Sequence, residues 1–247
     1  MLKSSGNVNW MGDIDVQKKT IGIIGGMGPL ATADLFRKIV LNTKASTDQE
    51  HIKILIDNNT DIPDRTEAIV NNGKSPVPQL TKSAVALWAL GAQILVMPCN
   101  TAHYFRSEVQ KNVDIPILSM IEITGNSLLK KGIKTVGLLA TEGTIKSGIY
   151  QDVFKGMDIE IIVPDEDEQT VITDLIYNGV KAGKKDYDTT NVQEVMQNII
   201  ERGAETLVLG CTELPVAVDM YKLDFSVCDP TLELARGAIR AANGECI

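Results

Sequence analysis

Two cysteines of this 247-residue chain stand in the same kind of place. Cys99 follows the apolar run Ile94–Met97 and Pro98, and precedes Asn100-Thr101-Ala102-His103. Cys211 follows Thr206–Leu209 and Gly210, and precedes Thr212-Glu213-Leu214-Pro215. Each apolar run reads as a buried strand and each polar stretch as a strand-to-helix turn, so both thiols are expected just beyond the carboxyl end of a strand, where open α/β sheets bind ligands. A helix start there offers free amides and a positive dipole end, which stabilise a thiolate and also hold a carboxylate. Two thiols facing one cleft would form an acid and base pair: one removes a proton from carbon, the other returns one from the opposite face. The plainer reading of either residue is a buried apolar cysteine at a strand end. The flanking Asn and Thr weigh against it, whereas Cys228 and Cys246 lack this setting and read as structural.

The partners of such thiols follow from the segments that would share their cleft. Arg65 lies in Asn58-Asn59-Thr60-Asp61-Ile62-Pro63-Asp64-Arg65-Thr66, after the strand candidate Ile52–Ile56. It suits a bidentate clamp on a carboxylate, and equally a surface ion pair with Asp61 or Asp64. Lys181 is expected to end a helix begun near Glu168, where a lysine also serves the helix dipole. The formal charge of −8 repels polyphosphate and anionic membranes, so neither nucleic acid nor membrane is an expected partner. Any anionic substrate must then be gripped by cations within the site, which singles out Arg65 and Lys181. His103, four residues after Cys99, raises a Cys-His hydrolase, but in a first helical turn it equally caps or packs. Gly26-x-Gly28-x-x-Ala31, with Asp57 ending the next strand, matches a dinucleotide-binding turn and raises a nicotinamide-dependent oxidoreductase. That reading leaves both cysteine turns unexplained. The same turn also suits a tight corner whose amides and Met27 wall a small-molecule cleft.

The elements that must position these residues form an alternating pattern. Thr20–Ile24, Ile52–Ile56, Ile94–Met97, Thr135–Leu139, Ile159–Val163 and Thr206–Leu209 are strand candidates, with amphipathic helical stretches between them. Gly203 stops the helix carrying Val192, Val195, Met196, Ile199 and Ile200, and Asp229-Pro230 opens a last helix, about Thr231 to Ala242, that Gly244 ends. The fold class is α/β with parallel sheets. A weak internal repeat sets Ile21-Gly22-Ile23-Ile24-Gly25 against Val136-Gly137-Leu138-Leu139-Ala140, and the Cys99 segment against the Cys211 segment, at offsets of 115 and 112 residues. Two similar α/β units, each presenting one thiol, are expected to face each other. Residues 20–118 with 229–247 form the first domain, 119–228 the second, and 1–19 a loose extension. Charged residues at 23% and hydrophobic residues at 44% fit a folded soluble protein. The four scattered cysteines and two histidines spell no zinc framework, and no secretory leader or long apolar span is legible, so a reducing cytoplasm is the expected compartment.

Taken together, Gly25-Gly26-Met27-Gly28-Pro29, Pro63-Asp64-Arg65-Thr66, Cys99-Asn100-Thr101-Ala102-His103 and Gly210-Cys211-Thr212-Glu213-Leu214 resemble the aspartate/glutamate racemase family, from about Thr20 to the end. The resemblance implies two α/β domains related by a pseudo-dyad, an active site in the interdomain cleft, and no pyridoxal phosphate, metal or nucleotide cofactor. It implies Cys99 and Cys211 as the catalytic pair, and Met27, Asn59, Arg65, Asn100, Thr101, Thr212 and Lys181 as contacts to a small acidic amino acid. The first cysteine would serve the D-enantiomer and the second the L. Relatives are often dimeric, which makes a homodimer the implied assembly. The cell-wall glutamate racemases typically carry Thr-His after the second cysteine, where Glu213 stands here, so aspartate is the preferred substrate and glutamate a second one.

Overall fold

The computed structural model describes residues 17–247. Strands β1 (Ile21–Gly25), β2 (Ile54–Asn58) and β3 (Ile94–Val96) alternate with helices α1 (Pro29–Asn42), α2 (Arg65–Val70), α3 (Val77–Ala89), α4 (Arg106–Gln110) and α5 (Met120–Lys130). The second half runs β4 (Thr135–Ala140), α6 (Glu142–Ser147), α7 (Ile149–Lys155), β5 (Glu160–Ile162), α8 (Glu166–Asp174), a π-helical turn over Leu175–Lys181, α9 (Thr190–Glu201), β6 (Thr206–Gly210), α10 (Leu214–Tyr221), β7 (Val227–Cys228) and α11 (Pro230–Ala241).

The strands form two wholly parallel sheets, ordered β2-β1-β3 and β5-β4-β6-β7. The sequence repeat is visible in this order: β1 and β4 each lie between the strand that follows them and the strand that delivers a thiol. Even the short β7 beside β6 has a counterpart, because Ile117 makes a single parallel bridge to Leu95 on β3. β1 and β6 are buried along their whole length, as strands covered on both faces must be, which is why they read as continuous apolar runs rather than alternating ones.

Each sheet has helices on both faces. One face of the first sheet packs Leu80, Ala84 and Leu87 of α3 against Ile24 and Leu95; the other packs Leu35 and Ile39 of α1 with Leu234, Ala235, Ala238 and Ile239 of α11 against Ile21 and Ile23. The chain therefore returns at its end to the sheet with which it began. In the second half, Val192, Val195, Met196 and Ile199 of α9 cover Leu207 and Leu209, while Tyr150 and Phe154 of α7 cover Val136 and Leu138. Burying a side chain of this size contributes about 1.5–3 kcal/mol, so these faces drive assembly of the layers.

Helix ends follow the sequence signals closely. Asp229 caps α11 through the Thr231 amide at 2.8 Å, and Asp165 and Glu168 form a reciprocal capping box that starts α8 two residues before the expected point. Asn243, at φ 60°, and not Gly244, takes the left-handed step after α11. Of the extension, residues 1–16 lie outside the described residues. Gln17–Lys19 are held rather than loose, since the Lys19 amide donates to the Ala242 carbonyl and the Asn243 side chain to that of Gln17. Among the described residues, no helix is long and apolar enough to cross a membrane.

Candidate active site

Cys99 and Cys211 line one small cavity at the carboxyl ends of β3 and β6, each only 6% exposed. The walls come from both halves: Met27, Asp64, Arg65, Thr66 and Thr101 from the first, Thr141, Tyr177, Lys181, Thr212 and Glu213 from the second. The inner space is about 20 Å³, room for about one water. It adjoins a hollow of about 300 Å³ walled by the Gly26–Ala31 corner, Arg65, Lys181, Thr212 and Glu213.

The halves meet closely around the thiols. Thr101 Oγ1 lies 2.8 Å from Thr144 Oγ1 and 3.2 Å from Thr141 Oγ1, a buried hydroxyl cluster between the turn after Cys99 and the start of α6. Gly143 permits this approach, because a β-carbon there would stand 2.7 Å from Thr66 Oγ1 and 2.9 Å from its Cα. Lys181 is the last residue of the π-helical turn and Tyr177 its third; the ammonium sits 4.4 Å from the centre of the tyrosine ring. The extra residue per turn of a π-helix brings both side chains to the cavity, a recurrent use of this irregularity.

Arg65 opens α2, and Asp64 before it caps the helix through the Glu67 amide. Its guanidinium reaches the Pro63 carbonyl at 3.1 Å and the Met27 carbonyl at 3.5 Å, while its buried Nε has no partner. Burial disfavours its charge, but Cys99 as thiolate and the Asp64 carboxylate outweigh this and raise its pKa. Lys181 shows the same balance: burial lowers its pKa, and Glu213 first, then Cys211, raise it further. Both cations therefore stay charged in the site.

The surroundings of Cys211 are anionic. Its Sγ donates to Glu213 Oε2 at 2.9 Å, Thr212 Oγ1 donates to the same oxygen at 3.3 Å, and Lys181 Nζ lies 3.9 Å from Oε1. Burial, then the neighbouring carboxylate, pushes the Cys211 thiol well above the usual cysteine range. Glu213 and Tyr177 were not among the residues singled out from sequence. Glu213 had a signal, a carboxylate two residues beyond a thiol in one tight turn; Tyr177 had none, since nothing in the sequence marks the π-helical turn.

Three expectations change on contact with the geometry. Cys99 precedes only a 3₁₀ turn over Thr101–Phe105 and a five-residue α4, so a long helix dipole does not point at it. Asn59 does not line the cavity: its amide donates to Ser83 Oγ at 3.0 Å, and its backbone carries the Gly26 corner. Asn100 is buried behind the cavity wall, its Oδ1 accepting from Tyr150 Oη at 2.6 Å while its Nδ2 has no partner.

Two rival readings lose their footing. His103 Nδ1 lies 2.9 Å from the Cys99 carbonyl and its Nε2 accepts from the Met120 amide at 3.1 Å, which assigns the proton to Nδ1. Burial pushes its pKa down to about 4. A neutral imidazole with both nitrogens engaged by backbone fastens the Cys99 turn to the start of α5 and is no general base. The glycine of the dinucleotide-like corner is likewise accounted for: Gly26 has φ 93°, and a β-carbon would stand 2.2 Å from the Asn59 carbonyl oxygen. Close packing on Asn59 requires it, with no pyrophosphate needed.

Two buried thiols, one guanidinium and one ammonium thus gather at the carboxyl ends of paired parallel sheets in an α/β fold, an arrangement able to hold a small anion beside the sulfurs. Residues 24–238 match the model of the Asp/Glu/Hydantoin racemase family, and the chain belongs to that family. The structure resembles aspartate racemase of Picrophilus torridus at 34% identity and a TM-score of 0.78, over 93% of this chain and 96% of that one. An aspartate racemase homologue of Pyrococcus horikoshii superposes with a TM-score of 0.74 at 26% identity, over 91% and 99% of the two chains. A broad specificity amino-acid racemase of Bacillus subtilis is 27% identical, over 89% of this chain and 96% of its own.

Proposed function

We propose that the protein racemises an acidic amino acid, aspartate ahead of glutamate, by proton transfer between Cys99, the substrate Cα and Cys211, with no cofactor. The observation that carries this reading is the convergence of both thiols, Arg65 and Lys181 on one cavity. Inversion at carbon needs a proton taken from one face and another given to the opposite face, and two thiols, one from each half of the chain, suit that pair of roles. Two cations match the two carboxylates of a dicarboxylic amino acid, and Asp64 and Glu213 supply negative charge for its ammonium. Holding the carboxylate against Arg65 in a water-poor site also stabilises the enediolate that forms as Cα loses its proton. The likeness to an aspartate racemase supports aspartate, and the broad-specificity relative supports tolerance, since one methylene is worth only about 1–3 kcal/mol of discrimination.

The hollow of about 300 Å³ walled by Arg65, Lys181, Thr212 and Glu213 is the way by which such a substrate reaches the inner space between the thiols. Incubating the protein with L-aspartate and with L-glutamate in deuterated buffer, without added cofactor, tests the reading. The D-enantiomer carrying deuterium at Cα is expected, from aspartate faster than from glutamate. Cys99→Ala and Cys211→Ala are each expected to reduce inversion to background. Neither inversion nor exchange with either substrate, or inversion surviving loss of one thiol, sinks the proposal.

A further inference from the structure

Among the described residues, Glu213 is the one carboxylate that hydrogen-bonds a thiol of the site, and the proton transfers above do not by themselves give it a role. We propose that Glu213 is the positioning residue for the Cys211 proton: it holds Cys211 as the thiol in the resting protein and resupplies its proton after each turnover. This rests on the two-thiol reading of the site. Three contacts carry it: the Sγ to Oε2 hydrogen bond of 2.9 Å, the Thr212 hydroxyl on the same oxygen at 3.3 Å, and Lys181 Nζ on the other oxygen at 3.9 Å. Glu213 also walls both the inner cavity and the wider hollow, so one side chain reaches from the thiol to the space open to solvent.

The proton count shows why such a residue is needed. When Cys99 as thiolate removes the Cα proton and Cys211 delivers its own to the opposite face, Cys99 ends as thiol and Cys211 as thiolate. Before the same enantiomer can react again, Cys211 must regain a proton and Cys99 lose one. Solvent protonates Glu213, its O–H bond breaks as the Cys211 S–H bond forms, and the Cys99 proton leaves to water. Nothing is oxidised or reduced, and water is the sole co-reactant. Lys181 balances the pair from the other side, holding Glu213 in reach and softening the charge of a Cys211 thiolate. The remaining ionisable groups around Cys211 are Cys99, Asp64, Arg65 and Tyr177 in the cavity wall, and Tyr150 and Cys228 in the layer behind it.

L- and D-amino acids have equal free energy in water, so any variant must lose kcat/KM equally in the two directions, and a directional asymmetry cannot be the readout. Cys211 ionisation is. Peptide-resolved alkylation by iodoacetamide across pH reads it in the whole protein, independently of turnover. In Glu213→Gln the alkylation midpoint of Cys211 is expected to fall by about one pH unit or more, the usual effect of removing a like charge at contact distance. Lys181→Met should move it the opposite way, and Glu213→Asp should restore most of the wild-type midpoint. The basic limb of the kcat/KM profile for aspartate should follow the same order, because it marks loss of the last thiol. An unshifted or raised Cys211 midpoint in Glu213→Gln overturns the proposal; where Cys211 resists the reagent, an unshifted basic limb does so. A wild-type protein that fails to invert aspartate or glutamate instead strikes the racemase reading, and leaves the Cys211 titration to be judged separately.

Discussion

At the end of β3, Cys99 has a guanidinium beside it; at the end of β6, Cys211 has a carboxylate. The backbone positions correspond, each thiol following a strand that pairs with the central strand of its sheet. The corners that face them differ in the same spirit. After β1 the chain turns through Gly26, forced by the Asn59 backbone, whereas after β4 it turns through Thr141, which caps α6 through the Thr144 amide. Duplicated architecture thus delivers two thiols to matching places, and side chains outside the duplicated pattern give them opposite electrostatic settings. A cation beside one thiol and a carboxylate beside the other make the two sides of the site electrostatically unlike, although the backbone positions correspond.

The largest break in this comparison should come from removing its cations one at a time. Arg65 is half-buried with a buried, unpartnered Nε, and truncating one partner of a desolvated, hydrogen-bonded charge pair costs about 2–5 kcal/mol. Arg65→Ala should therefore lower kcat/KM for aspartate roughly a thousandfold. Lys181 is 35% exposed and 3.9 Å from its carboxylate, so Lys181→Ala should cost only about tenfold. Steady-state kinetics of the two variants side by side decide this. Equal losses would mean that the two cations share one job and that the asymmetry of the corners is incidental.

His103 gives the Cys99 corner a second distinction, because among the described residues no imidazole braces the Cys211 turn, where Glu213 occupies the nearby space. With a pKa pushed down to about 4, against 6.5 in an unfolded chain, His103 binds fewer protons folded than unfolded between those values. Its contribution to stability is complete above pH 6.5 and is lost progressively as pH falls toward 4, by about 2 kcal/mol at pH 5. Denaturant unfolding at pH 7 and pH 5 should show that loss in the wild type and not in His103→Asn. The variant should also start about 1–3 kcal/mol lower at pH 7, since the Met120 amide loses its buried acceptor. A pH dependence unchanged in the variant would show that the imidazole is not held neutral.

What sequence could and could not reveal follows the same division between repeated and unrepeated features. Strands buried on both faces are long apolar runs, so β1, β4 and β6 and the thiols beyond them were legible with errors of a residue or two. The two-residue β7 was not, because Val227-Cys228 is too short to carry a period. Local chemistry at Asp229 was readable because a cap is satisfied within a few residues of itself, whereas the cap at Asp165 was passed over and that helix start placed two residues late. The resemblance implied Asn59 and Asn100 as substrate contacts, but where their amides point depends on Ser83 and Tyr150, which lie 24 and 50 residues away. The π-helical turn that delivers Tyr177 and Lys181 has no sequence signature, and it decides which lysine enters the site.

The smallest effect tests whether the second half shapes the Cys99 corner from a distance. Tyr150 of α7 is fully buried, and its hydroxyl donates to Asn100 Oδ1 at 2.6 Å. Burial drives the Tyr150 pKa well above its ordinary value, so the phenol stays a neutral donor and fixes which face of the Asn100 amide is turned away. Tyr150→Phe keeps the ring that packs edge-on against Phe154, and removes only that bond. It should cost about 1–2 kcal/mol of stability, because Asn100 then has neither amide group paired. If the amide orientation matters to the neighbouring thiol, kcat should fall by about three- to tenfold with KM nearly unchanged, the mark of an interaction made mainly in the transition state. A variant that loses stability but keeps kcat would confine Tyr150 to packing, and the asymmetry of the two corners would then rest on Arg65, His103 and Glu213 alone.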